Sequence, residues 1–208
     1  MSELLPLYDV STARAGILRR DPPDVYAVPD SLLDGIEQRF GERLNPEGAV
    51  RKVLADIRER GDAALFEWTR RIDNLTLDNL AVPPERIRSA PERIPAEVRE
   101  ALVYAAARIR DFHERQPSIS WMHSTTAGML GQLVRPVERV GVYVPGGTAP
   151  LPSTLLMCAV PAQVAGVQDI IICTPSEDDV IYAAAAILGI DRIFTLGGAQ
   201  AVGAMAYG

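Results

Sequence analysis

Cysteine, histidine and lysine are all scarce in this 208-residue chain. Two cysteines, Cys158 and Cys173, are too few for a disulfide framework. Both stand in apolar surroundings and are expected to be buried thiols in a reducing cytoplasm. Two histidines, His113 and His123, have no partner four residues away and no neighbouring cysteine, so they offer no metal-ligand spacing. No apolar run approaches the roughly 20 residues that span a bilayer, and no membrane partner is expected. The opening stretch MSELLPLYDV lacks the basic and apolar regions of a signal peptide, which makes the cytoplasm the expected location. Basic charge is also short. Lys+Arg number 21 against 27 Asp+Glu, a net charge of −6, which argues against a nucleic-acid partner with its basic footprint. Lys52 is the lone lysine. The remaining basic residues are arginines in no single cluster, a compositional bias and not a site.

What is present is ordinary for a globular protein: 48% hydrophobic and 23% charged residues. The length suits one large domain or two small ones and buries a core without a staple. The two halves differ. Residues 1–127 are charge-rich and read as a mainly helical region. Asn45 is placed to cap a helix opened by Pro46, and Val50, Val53, Leu54 and Ile57 recur at helical spacing up to Gly61. Asp62 restarts a helix through Leu65 and Trp68. An extended stretch follows from Leu75 to Val82. A long helix over 96–116 buries Val98, Leu102, Ala105, Ile109 and Phe112.

From residue 128 the period changes. Met129–Val134 and Val140–Val144 read as strands, Asp169–Thr174 and Ile193–Leu196 as strands buried on both faces. Helices are predicted over 153–165, 178–188 and 199–207, the first kinked or split by Pro161. This alternation predicts an α/β fold: a helical N-terminal region, then a parallel βα sheet with helices on its faces.

Ligands of such sheets bind beyond the carboxyl ends of the strands. Two loops lie there, Pro145-Gly146-Gly147-Thr148 and Gly197-Gly198-Ala199-Gln200. Each leads into a helix N-terminus, whose free N–H groups favour anions. Neither matches G-x-G-x-x-G or the P-loop, and both also read as plain tight βα turns. Gln200 is an exposed-type polar residue on the last helix, free to reach a ligand or to be solvated. Tyr143 ends a strand beside the first loop, where its ring packs on a cofactor or in the core. Ser153 is in no G-x-S-x-G elbow, and Cys158 has no base beside it. The residues themselves present a binding surface without catalytic machinery.

Several segments resemble histidinol dehydrogenases: Arg139-Val140-Gly141-Val142-Tyr143-Val144-Pro145-Gly146-Gly147-Thr148-Ala149-Pro150-Leu151, then Ser153-Thr154-Leu155-Leu156-Met157, then Gly197-Gly198-Ala199-Gln200-Ala201-Val202. The helical stretch Ile57–Leu65 and Phe112–Gln116 with Ser120-Trp121 are similar too. The resemblance implies a Rossmann-like sheet over 128–208, incomplete relative to the family's two-domain fold. It implies NAD-dependent oxidation of L-histidinol to L-histidine in two steps, the last stage of histidine biosynthesis, by a homodimer that uses zinc. Residue by residue it implies NAD contacts at Tyr143, Gln200, Gly146 and Gly147. The family's zinc ligands and catalytic Glu-His pair lie beyond the matching segments, so no catalytic or metal residue maps here. The chain alone is therefore expected to be inactive. The competing expectation is a non-catalytic homologue that binds a nucleotide or a partner chain.

Overall fold

The computed structural model describes residues 6–20, 28–117, 119–146 and 150–208. The chain forms two compact units, Met1–Ala49 and Val50–Gly208. The first holds α1 (Val10–Ala15) and α2 (Asp30–Phe40). Asp9 caps α1 by accepting the Thr12 N–H at 2.9 Å. Hydrogen bonds from Ser11 and Thr12 hold its carboxyl well below the usual carboxylate range. Gly41 (φ 76°) ends α2 in the left-handed conformation. Arg43 reaches Asp30 at 3.0 Å and Asp34 at 2.7 Å. These pairs are solvent-exposed and contribute little stability.

Helix α3 (Pro46–Arg60) crosses from the first unit into the second. Its start follows the sequence reading: Asn45 Oδ1 accepts the Gly48 N–H at 2.7 Å. α4 (Asp62–Asp73) follows at once. Trp68 on α4 is fully buried and donates its indole N–H to Asp56 on α3 at 2.7 Å. Arg60 and Trp68 together lower the Asp56 carboxyl. Next come α5 (Pro84–Arg88), α6 (Ala90–Arg93) and α7 (Ala96–Glu114), then β1 (Trp121–Thr125) and β2 (Gly128–Gln132). The last stretch alternates: β3 (Arg139–Tyr143), α8 (Pro152–Val164), β4 (Asp169–Cys173), α9 (Asp179–Ile187), β5 (Ile193–Phe194) and α10 (Gly198–Tyr207).

The predicted parallel sheet is present, with strand order β3-β4-β5 and Val142 opposite Ile172 opposite Ile193. One face carries Val142, Val144, Ile170, Ile172 and Ile193 into the main core, against Leu155, Leu156 and Ala159 of α8, Ile181 and Ala184 of α9, and Leu102 of α7. Burying each such Leu, Ile or Val stabilises by about 1.5–3 kcal/mol. The other face holds Gly141, Ile171 and Cys173, and α10 lies over it with Met205 above Gly141. Beyond β5 the extended residues near Ala81 pair antiparallel with it. Val82 N–H donates to Ile193 O at 2.9 Å and Thr195 N–H to Leu80 O at 2.7 Å. That pairing covers one sheet edge.

Three expectations change. Phe112, read on the buried side of α7, is exposed. The strand read over Met129–Val134 is present, outside the parallel sheet. Residues 128–132 pair antiparallel with β1 in a hairpin whose every residue is exposed. α8 runs unbroken through Pro161, because the flanking Leu155, Leu156, Ala159 and Val160 are all in the core. Their burial outweighs the roughly 3 kcal/mol that an internal proline costs. Cys158, expected to be buried, is exposed; it sits on the outer side of α8, while Cys173 is buried as expected.

The two thiols should therefore separate on titration with an aromatic disulfide reagent. Burial pushes the Cys173 thiol up to about 11, which suppresses its thiolate at neutral pH. One thiol reacts promptly in the native chain, the second only when denaturant is added, and Cys158→Ser abolishes the prompt phase. Prompt reaction of both would contradict the placement of Cys173.

Candidate functional site

The carboxyl ends of β3 and β5 bring Tyr143 and the second Gly loop together. Tyr143 is half-buried, and its Oη accepts the N–H of Gly198 at 3.2 Å. The strand end that precedes the first loop is thus joined to the second loop by a hydrogen bond. Gly146 follows Tyr143 closely. A Cβ there would stand 2.5 Å from Cγ of Pro175 in the loop after β4, so only glycine allows that approach. Gly147 lies outside the described residues.

Gln200 differs from its sequence reading. It is fully buried rather than exposed, and its Nε2 donates to Asp73 Oδ2 at 2.9 Å. Asp73 is the last residue of α4, and sequence reasoning did not select it. The contact spans 127 positions, and no local pattern announces it. Asp73 also accepts the Gly197 N–H. Burial raises its carboxyl above the usual carboxylate range, and the hydrogen bonds from Gln200 and Gly197 oppose that rise. Among the described residues Asp73 has no Arg or Lys ion-pair partner.

Three buried side-chain polar atoms have no hydrogen-bond partner among the described residues: Thr69 Oγ1, Tyr182 Oη and Gln200 Oε1. Such atoms are rare in folded proteins, and each calls for a physical reason. Oε1 folds back to within 2.8 Å of the position a Cβ on Gly198 would take, at the N-terminal end of α10. Thr174 and Thr195, also buried, end the two neighbouring strands. Thr69, buried, stands one turn before Asp73 on α4. The buried polar groups of the second unit therefore gather around the carboxyl end of the sheet, whereas its middle is apolar. That arrangement can seat a ligand that offers both an anion to a helix N-terminus and a donor to an amide oxygen.

The histidines are elsewhere. His113 Nδ1 lies 2.7 Å from Gln116 Oε1 near the end of α7, and His123 is on the exposed strand β1. Among the described residues no three His, Cys, Asp or Glu side chains converge as a metal site would need. A cavity of about 530 Å³ lies on the α10 face of the sheet, lined by Leu65, Phe66, Gly141, Ile171, Phe194 and Met205 among others. Its lining is chiefly apolar, and neither Tyr143 nor Gln200 contributes to it.

The sequence pattern of the histidinol dehydrogenase family matches residues 39–208. The chain is 50% identical over 186 residues to a histidinol dehydrogenase of Deinococcus radiodurans, covering 87% of this chain and 42% of that protein. It is 51% identical over 197 residues to one of Bordetella parapertussis, covering 91% and 44%. The crystal structure of histidinol dehydrogenase from Elizabethkingia anophelis superposes with a TM-score of 0.73 at 34% identity, covering 87% of this chain and 43% of that one. The chain thus spans less than half the length of the relatives it resembles.

The turn into α10 gives a direct test. Gly198 has φ 53°, and a side chain there would press on Gln200 Oε1. Gly198→Ala should lower stability by about 1–2 kcal/mol from the left-handed backbone alone. The check is a lower urea midpoint with an unchanged slope. An unchanged midpoint would mean that the turn is not held in this conformation.

Proposed function

The chain belongs to the histidinol dehydrogenase family, and we propose that the carboxyl edge of its parallel sheet is where that family's NAD is bound. One observation carries this reading: Tyr143, Gly198 and Gln200 meet at one sheet edge, with a buried amide oxygen left without a partner. The groups present fit a nucleotide. Gly146, Gly197 and Gly198 let Pro175, Asp73 and Gln200 pack directly against the backbone of the two loops. The start of α10 favours phosphate. The ring of Tyr143 offers an apolar face beside both loops. By the same matching, Gly147 contributes backbone to the first loop.

In this reading residues 128–208 supply the nucleotide loops, and α4 of the preceding, mainly helical region supports them. NAD, when bound, accepts the hydride removed from L-histidinol. The chain's own part is to hold the cofactor: Tyr143 fixes the Gly198 turn, and Gln200 offers an acceptor. General acid–base steps need a positioned group with a tuned pKa, and His113 and His123 stand on elements away from this edge. The described donor set does not fit zinc, so no step is assigned to it. In the complete enzyme those tasks belong to the remaining length that the relatives possess, and the enzyme acts as a homodimer. The described residues contain no helix long and apolar enough to cross a membrane.

Two measurements test this. The isolated chain should bind NAD+ in calorimetry, and Tyr143→Ala should weaken binding about tenfold, near 1.4 kcal/mol, because the Gly198 N–H also loses its acceptor. The same chain should give no histidinol-dependent NADH. Absence of NAD+ binding would overturn the assignment of the edge. Steady NADH production would overturn the division of labour.

A further inference from the structure

We propose that Asp73 is a positioning residue of this edge: its carboxylate sets the polarity of the Gln200 amide, so that Oε1 alone is presented to the ligand as an acceptor. The inference rests on the NAD-binding reading above and deepens it.

A side-chain amide has two faces, one donating and one accepting. Left alone, Gln200 could turn either toward the site. A carboxylate removes that choice, because it only accepts. With Asp73 Oδ2 at 2.9 Å, Nε2 must face α4. Oε1 must then face the start of α10, where it is buried and unpartnered. Gly197 packs directly on the same carboxylate, so one group from α4 abuts the turn and orients the amide. Gly197 is packed for this. A Cβ on it would stand 3.0 Å from both Asp73 oxygens and 3.0 Å from Pro175 Cβ.

The chemistry of the ligand follows. Oε1 accepts only, so the group it meets must donate: a hydroxyl or an N–H. The adjoining helix start favours an anion. A hydroxyl next to a phosphate, as in a ribose phosphate, meets both demands. An amide of reversed polarity would instead turn its N–H groups to the ligand and reject that hydroxyl's proton. Asp73 therefore acts on recognition without touching the ligand.

The test is a double-mutant cycle on the 208-residue chain, with NAD+ as the probe and calorimetry as the readout. Asp73→Ala and Gln200→Ala should each weaken NAD+ about 3- to 10-fold, the range of one neutral hydrogen bond. The double variant should be no weaker than either single, because Asp73 acts only through Gln200. A residue that merely supports the fold would weaken binding again in the Gln200→Ala background, and multiplied effects would overturn the proposal. So would an unchanged affinity in Asp73→Ala. If Asp73→Ala does not fold, Asp73→Asn serves. It is nearly the same shape, and its amide lets Gln200 turn over, so affinity should fall while the thermal midpoint holds. Retained affinity in Asp73→Asn would overturn the proposal too. Failure of the unaltered chain to bind NAD+ overturns the site itself, a result distinct from binding with independent mutants.

Discussion

Everything at the sheet's carboxyl edge depends on how closely α10 lies on β3, and a missing side chain in the middle of that strand permits it. A Cβ at Gly141 would stand well inside van der Waals contact with Sδ of Met205. On the opposite flank Gly203 lies against Leu54 and Ile57 of α3, where a Cβ would be 2.9 Å from a Leu54 methyl. The helix is gripped between strand and helix at these two glycines. Its first turn is thereby carried to Tyr143 and Asp73. Interiors pack at crystal-like density, so a larger residue at Gly141 would lift the helix and part the Gly198–Tyr143 hydrogen bond. Close packing along α10 and the geometry of the site are one constraint.

The sheet is polarised along its strands. At the amino ends, Asp169 sits between Arg139 at 2.5 Å and Arg192 at 2.6 Å, and those arginines lower its carboxyl, Arg139 first. The two arginines are about half exposed or more, so these pairs set charge more than stability. The middle of the sheet is aliphatic. At the carboxyl ends come Thr174, Thr195, Gln200 and Asp73. Ion pairs elsewhere, such as Arg93 with Asp179 at 2.7 Å, tie α6 to α9 on the outer layer. A charge ladder at one end and buried polar donors and acceptors at the other leave the second end with unspent hydrogen-bonding capacity.

Much of this was legible from residues, for physical reasons. Strands β3 and β4 and helices α3, α7, α9 and α10 announce themselves by period and by their caps and breakers: Asn45 before α3, Asp178 accepting the Val180 N–H at 2.7 Å before α9, Gly197-Gly198 before α10. Long-range geometry was not legible. α5 and α6 are short, and Pro83-Pro84 at the start of α5 reads in sequence as a turn that closes the preceding stretch. The β1–β2 ribbon shows the right propensity, but its partner strand was hidden because neither strand buries a face. Cys158 looked buried because its neighbours in sequence are apolar; on a helix, adjacent residues point apart. Gln200 looked exposed because its polarity is answered by a residue 127 positions away.

Asp73 raises an apparent conflict, because a carboxylate at the rim of the proposed anion site should repel the anion. The geometry resolves it. The charge is met by two donors, the Gly197 N–H and Gln200 Nε2, and the first belongs to the turn that opens α10. A carboxylate at a helix N-terminus is itself stabilised by the helix dipole. Asp73 therefore lies behind the turn and draws its field inward, while the outward side of the turn keeps its free polarity. Protonation would weaken both acceptor roles. Burial raises the Asp73 carboxyl, and the hydrogen bond from Gln200 and the nearby Gly197 N–H oppose that rise. The turn, the amide and the carboxylate thus keep one another in the form each requires.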